Sequence, residues 1–282
     1  MRKCDICISL TGYVYAPRIA QKKGAIIIME RGSKHILEQK KILEKNPHKK
    51  NEAIPNRNIK CNLKAYQFAN FISVASQHVK ESFLLHQYPE NRIFVNPYGV
   101  DLSMFKPLPN IPKKYDVIMV GGWGYEKGCD LIVEAIRKTN YSFIHVGSIK
   151  DVDFPQEKNF THIDPVDQSK LIEYYNQAKV FILPSRQDGF GMVLSQALAC
   201  NLPIIGSNNC GAPDLKKMVE LPEYITIIKD YTADAIVTAI HTAIKNYEQL
   251  GERIYAGNAI ENLTWEAYGK RYANFLHKII KQ

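Results

Sequence analysis

The run Leu171–Leu215 (LIEYYNQAKVFILPSRQDGFGMVLSQALACNLPIIGSNNCGAPDL) constrains this chain most, because it reads in order as helix, buried strand, glycine-flanked turn, helix, buried strand and a second glycine turn. Val180-Phe181-Ile182-Leu183 is a short apolar run stopped by Pro184, which fits a strand covered on both faces of a parallel sheet. Asp188-Gly189-Phe190-Gly191 then turns into an amphipathic helix carrying Met192, Val193, Leu194, Ala197, Leu198 and Cys200, ended by Asn201 and Pro203. A helix therefore starts just past the carboxyl end of a strand. Such a βαβ unit builds a ligand-binding edge.

The free N–H groups at a helix start favour an anion by about 0.3–1 kcal/mol, and by roughly 2 kcal/mol when partly buried. Gly189 and Gly191 allow a phosphate or sugar to approach the backbone, and Asp188 can accept hydrogen bonds from sugar hydroxyls. Gln196 follows Asp188 by eight positions; helical periodicity brings it to the same side two turns on, where its amide can grip a ribose diol. The same residues also suit a glycine-punctuated crossover with a surface aspartate. Upstream, Tyr115–Val120 reads as a strand entering Gly121-Gly122-Trp123-Gly124-Tyr125-Glu126-Lys127-Gly128, followed by an apolar-striped helix through Arg137. Lys127 there is either a phosphate ligand or a solvated first-turn lysine.

The two segments together resemble the donor-binding region of family 4 glycosyltransferases, the retaining enzymes of GT-B fold. The downstream turn stands here as Asp188-Gly189-Phe190-Gly191, with Gln196 and Ala197-Leu198-Ala199-Cys200-Asn201-Leu202-Pro203-Ile204-Ile205 behind it and Gly211-Ala212-Pro213-Asp214 after the next strand. Both acidic positions of the family turn are altered: Asp188 keeps the charge on a shorter side chain, and Gln196 keeps an acceptor but loses the charge. Gly121–Gly128 is similar to the family's Val-Gly-Arg-x-x-x-Glu-Lys-Gly turn, with Lys127 on the lysine and Gly122 on the arginine. Losing one charge-assisted phosphate contact costs about 1.5–3 kcal/mol. Arg186 is the base expected to replace it. Ile93–Asp101 with Phe105 and Pro107 resembles the Asn-Gly-Val-Asp signature of the interdomain linker, and Leu263-Thr264-Trp265 introduces a helix like the one that crosses back onto the first domain.

The resemblance implies an α/β chain with two Rossmann-like, doubly wound parallel-sheet domains, the first incomplete. Residues 1–108 would form a partial acceptor-side domain, 109–262 the nucleotide-sugar domain and 263–282 the returning helix. It further implies transfer of a hexose from a nucleotide diphosphate sugar to a saccharide or lipid-linked acceptor with retention, in cell-surface polysaccharide or lipopolysaccharide synthesis. Lys127 and Asp188 are the expected catalytic residues, and Gly121, Gly122, Arg186, Gly189, Phe190, Gly191 and Gln196 line the donor site with them. No cofactor or metal is expected beyond the donor itself. The departures at Gly122 and Gln196 leave a non-catalytic nucleotide-sugar-binding or scaffolding subunit as the alternative; a GT-B-type epimerase would need a fuller set of acid–base residues.

The first part reads as strand 4–10, helix 14–23, strand 25–29, helix 33–44, a polar loop 46–58, helix 60–70, strand 71–75, helix 76–86 and strand 93–96. Ser33 would cap the second helix. Glu30, Arg31 and Gly12 follow strands and would face the cleft; where the family often carries a histidine, Glu30 and Arg31 stand nearest. By resemblance the first strand matches the family's fourth, so its edge would be exposed and open to an upstream polypeptide or a second copy. Lys and Arg number 37 against 28 Asp and Glu, a net charge of +9. The excess lies before residue 111, densest over 18–64, a basic face suited to plain solvation or to peripheral contact with an anionic membrane. No zinc-finger spacing or RNP-like strand supports nucleic-acid binding. Six scattered cysteines suit reduced thiols in a cytoplasmic protein, with Cys4 and Cys7 on opposite faces of one strand. No apolar run reaches the ~18–20 residues of a membrane span.

Overall fold

The computed structural model describes residues 4–48, 54–220, 222–250 and 258–281. The first unit comprises β1 (Ile6–Leu10), α1 (Tyr15–Lys22), β2 (Ile26–Arg31), α2 (Ile36–Leu43), α3 (Asn56–Phe68), β3 (Phe71–Val74), α4 (Gln77–Leu84) and β4 (Ile93–Val95). All four strands are parallel in the order β1-β2-β3-β4. Strand parity explains why β2 is apolar at successive positions: Ile27 and Met29 enter the core with Ile59, Ala65, Tyr66 and Phe83, while Ile28 enters a second core on the other face.

The second unit comprises β5 (Tyr115–Val120), α5 (Cys129–Arg137), β6 (Phe143–Val146), β7 (Phe160–Ile163), α6 (Gln168–Asn176), β8 (Ala178–Leu183), α7 (Met192–Ala199), β9 (Ile204–Ser207), α8 (Ala212–Met218), β10 (Ile225–Ile228) and α9 (Ala233–Leu250). Its parallel sheet has the order β10-β9-β8-β5-β6-β7. The order reverses between β5 and β8, so the turns leaving their carboxyl ends face one crevice. The final helix, α10 (Trp265–Ile280), lies on the first sheet, where Phe94 and Phe275 stack at 4.1 Å between ring centroids. Its start is capped by Thr264, whose hydroxyl accepts from Ala267 N at 3.1 Å. Beside it Val100 bridges to Thr264, and a β-carbon on Gly99 would fall 2.4 Å from Trp265 N; only glycine lets these two strands of chain cross so closely.

Several local expectations are corrected. Helix α2 begins at Ile36 with His35 as its cap, Nδ1 accepting from Leu37 N at 3.4 Å, and Ser33 turns to the other unit. Helix α3 starts at Asn56 behind Pro55, a residue whose fixed φ suits a helix entry, so the end of the polar loop is helical. Residues 49–53, in that loop and in the basic stretch, lie outside the described residues, as do 251–257. Cys4 precedes the strand, so strand parity does not govern it, and both Cys4 and Cys7 pack against the same core. All six thiols are free.

Candidate active site

Two turns meet in the crevice. The first leaves β5 through Gly121 (φ +125°) and ends at Gly128 (φ +76°), with Tyr125–Lys127 forming one tight turn ahead of α5. Trp123 N donates to Ser148 O at 2.8 Å and Lys150 N to Trp123 O at 2.9 Å, tying the turn to the loop after β6. That pairing lays the Lys150 side chain across Gly122, where a β-carbon would stand 2.4 Å from Cε and 2.9 Å from Nζ. Gly122 is thus the residue that makes room for a lysine delivered from the neighbouring loop.

The second turn leaves β8. Asp188 N donates to Asn209 O at 2.9 Å and Phe190 N donates to Asp188 Oδ1 at 3.2 Å, so the backbone folds around the carboxylate. The free oxygen, Oδ2, receives Lys127 Nζ at 2.5 Å. Burial alone would pull the Lys127 ammonium down; the Asp188 charge and hydrogen bond outweigh it, with help from Glu126, and its pKa is raised. The lysine stays charged, and its charge is matched. Gly191 (φ +79°) leads into α7 with no side chain capping the first turn, which leaves the helix-start N–H groups facing the crevice. Phe190 is buried and meets Tyr98 edge-on.

The first unit forms the opposite wall. A β-carbon on Gly189 would lie 2.0 Å from Gly32 O, so the bare face of this glycine is used for backbone contact between the units. Ser33 Oγ donates to Gln187 Oε1 at 2.8 Å, Ser76 Oγ to Gly189 O at 2.6 Å, and Lys34 Nζ to Asn209 Oδ1 at 2.7 Å. Burial draws the Lys34 ammonium down. His78 sits against Asp188 and Gly189; burial, then Lys34, lower its pKa to about 4 against the pull of Asp188.

Of the residues singled out from the sequence, Lys127, Asp188, Gly189, Phe190 and Gly191 are brought together, with Gly121 and Gly122 on the adjoining turn. Gly121 O accepts from His145 Nε2 at 2.8 Å. Arg186 adjoins the first turn: its guanidinium pairs with Asp130 through both nitrogens at 2.6 and 2.7 Å, stacks on Tyr125 at 3.8 Å and donates to Tyr125 O at 2.7 Å, so its charge is matched by Asp130. Lys150 is the cation laid over Gly122. Asp188 lies in the turn before α7, so helical spacing does not relate it to Gln196, whose Oε1 accepts from the buried Tyr175 hydroxyl at 3.0 Å. Lys150, Lys34 and His78 carry no motif spacing that would have marked them, because each reaches the crevice through tertiary pairing.

Among the described residues no three His, Cys, Asp or Glu side chains converge to hold a metal ion, and no helix is long and apolar enough to cross a membrane. The chain is similar to the protein named "Probable sucrose-phosphate synthase" of Thermosipho melanesiensis, 26% identical over 76% of this chain and 56% of that one. It is also 23% identical, over 74% of its length and 62% of the relative's, to a GDP-mannose-dependent phosphatidylinositol monomannoside mannosyltransferase of Mycolicibacterium smegmatis. The chain therefore spans little more than half the length of these relatives. Among solved structures, a sucrose-phosphate synthase from Thermosynechococcus elongatus matches with a TM-score of 0.70 at 18% identity, covering 94% of this chain and 70% of that one. HepE of Anabaena, solved with UDP and glucose, matches with a TM-score of 0.70 at 14% identity, over 92% and 73%. The architecture is that of GT-B glycosyltransferases. The family model of glycosyl transferases group 1 matches residues 103–259, more than half of the sequence, and the chain belongs to that family.

Proposed function

We propose that the chain transfers a hexose from a nucleotide diphosphate sugar to an acceptor hydroxyl with retention, and that the acceptor is a saccharide or lipid-linked saccharide of a cell-surface polymer. The observation that carries this reading is the meeting of Lys127 and Asp188 at 2.5 Å where the β5 and β8 turns converge. During transfer the bond from the anomeric carbon to the diphosphate oxygen breaks, the acceptor oxygen takes its place, and the diphosphate leaves as an anion with the acceptor proton. Cationic and N–H groups preorganised at that oxygen stabilise the departing charge. Lys127, Lys150 and the N–H groups beyond Gly191 supply them, and Asp188 holds the sugar hydroxyls. These roles need no metal.

Because Lys127 is already matched by Asp188, an incoming diphosphate gains most from Lys150, whose ammonium has no ion-pair partner among the described residues. Lys127→Ala is expected to lower turnover by about 10²–10³-fold with the fold intact by circular dichroism; unchanged transfer would reject the assignment. The engagement of Arg186 by Asp130 and of Gln196 by Tyr175 favours the second reading, a donor-binding subunit without turnover, which calorimetric binding of UDP or GDP sugars without transfer or hydrolysis would establish. Two further contacts belong to the proposal. The edge of β1, where Ile8 and Leu10 are 45% and 55% exposed, suits pairing with another polypeptide, testable by light scattering. The basic face of α1 and α3 suits an anionic membrane, testable by vesicle sedimentation.

A further inference from the structure

His145 is a polar residue where the sheet asks for an apolar one. It pairs with Met119 inside the parallel ladder, between Ile144 and Val146, and is fully buried. Burying an imidazole is costly unless its nitrogens are hydrogen-bonded, and both are: Nε2 lies 2.8 Å from Gly121 O and Nδ1 lies 3.0 Å from His162 Nδ1. Burial lowers the His145 pKa to about 4, so at neutral pH the ring carries a single N–H. A carbonyl oxygen can only accept, which puts that proton on Nε2 and leaves Nδ1 to accept from His162. The tautomer is thus set by the two neighbours.

Gly121 opens the first turn of the crevice. Its N–H donates to Val146 O at 2.9 Å, and its carbonyl is drawn to the same side by His145 and by the bare Cα of Gly147, where a β-carbon would stand 2.0 Å from that oxygen. The peptide bond to Gly122 is trans, so the Gly121 C=O and the Gly122 N–H point in opposite directions, and the Gly122 N–H faces away from β6. On that side of β5 lies β8, and with it the Asp188 turn. Gly122 lines a cavity of about 160 Å³ together with Lys127 and Lys150, and its N–H has no hydrogen-bond partner among the described residues. Two adjacent glycines let this peptide rotate at little cost; turned over, it would present the Gly121 oxygen to an incoming anion.

We infer that His145 is a positioning residue for the donor diphosphate: its Nε2–H holds the Gly121–Gly122 peptide in the orientation that offers the Gly122 N–H to a phosphate oxygen. His162 acts one step further out, by fixing the His145 tautomer; its own Nε2 faces the exposed Asp164 carboxylate at 3.4 Å. The inference rests on the donor-site reading above and adds to it a residue that works without touching the donor.

The test measures binding of UDP and GDP to the full chain and its variants by calorimetry, with uridine and guanosine in competition. The ratio of diphosphate to nucleoside affinity isolates the phosphate contacts, which a residue that only supports packing would not move selectively. His145→Leu, which fills the space without a donor, is expected to lower that ratio about tenfold or more, the loss of a hydrogen bond to a charged group. His145→Gln, whose amide can donate to Gly121 O, should recover most of it, and His162→Phe, which removes the donor to Nδ1, should lower it several-fold. The wild-type chain gives a reading that needs no variant to fold: its long-range proton–nitrogen NMR spectrum at pH 7 should show the His145 ring protonated at Nε2 and bare at Nδ1. A ring protonated at Nδ1 instead, or a ratio unchanged in His145→Leu, would overturn the inference. A wild-type chain that binds neither UDP nor GDP strikes the donor-site reading and this inference with it, whereas nucleotide binding indifferent to His145 strikes only this one.

Discussion

At the scale of single residues, the site turns on which cations are matched by protein carboxylates. Lys127 is matched by Asp188 at 2.5 Å, Arg186 by Asp130, and Lys150 by none among the described residues. Removing Lys150 should thus weaken the donor diphosphate more than it disturbs the protein. Lys150→Ala is expected to raise the dissociation constant of the nucleotide diphosphate roughly ten- to hundredfold, the worth of a charged hydrogen bond of about 1.5–3 kcal/mol, with thermal stability within a degree or two. Calorimetry with UDP and GDP checks it, and equal affinity in the variant would return the role to another base. Gly122→Arg is the companion: in the wild-type chain the new side chain must displace Lys150 from 2.4 Å and should cost a little stability, whereas in Lys150→Ala that obstruction is absent and any recovered affinity should come without the loss. The placement of Lys127 and Asp188 on turns that leave strands was legible in the sequence, because each sits at a fixed offset from a glycine. Lys150 was not, since the Trp123–Ile149 bridge that delivers it joins loops after different strands. The contacts of Arg186 with Asp130 and of Gln196 with Tyr175 join residues 56 and 21 positions apart and leave no local pattern to read.

At the scale of elements, the strands read from the sequence lie within one or two residues of the observed ones, whereas β6, β7 and β10 were not read and the starts of α2 and α3 drifted. Val117–Val120 and Val180–Leu183 announce themselves as apolar runs because both sheet faces are covered there. Helix α2 lost its expected cap because Ser33 hydrogen-bonds Gln187 across the crevice, a contact invisible to local pattern. The crossing at Gly99 is the element-scale feature most open to test. A methyl group there must push Trp265 N from 2.4 Å and with it the capped start of α10. Overpacking of this kind costs about 1–3 kcal/mol, while Thr264→Ala removes a cap worth about 1 kcal/mol. Gly99→Ala is expected to lower the urea midpoint by more than Thr264→Ala does, and the double variant to fall short of the sum, because both act on one helix start. Additive losses would mean that the crossing and the cap are independent.

At the scale of the whole molecule, three histidines buried in different parts of the fold share one consequence. Burial, with His86 and Arg31 nearby, lowers His35 to about 3; burial, with Lys34 nearby, lowers His78 to about 4; and burial, with His162 facing it, lowers His145 to about 4 despite its bond to Gly121 O. Each is neutral in the folded chain and takes up a proton on unfolding once the pH falls below the ordinary value near 6.5. The unfolded state then binds more protons, so stability drops as pH falls. Its contribution is whole a unit or more above 6.5 and declines continuously toward 4, each histidine losing on the order of 1 kcal/mol by pH 5.5. Against a total stability of roughly 5–15 kcal/mol, the three together are enough to move the urea midpoint well before carboxylates such as Asp116 and Glu38, held below their ordinary values, begin to protonate. Urea midpoints at pH 8, 6.5, 5.5 and 4.5 should fall slightly over the first pair, by about 0.4 kcal/mol per histidine, and steeply over the rest. His78→Asn, at the wall between the units, should shallow that fall by about a third. A midpoint constant down to pH 5 would show that water reaches these rings in the folded chain and that none of the three is held neutral by burial.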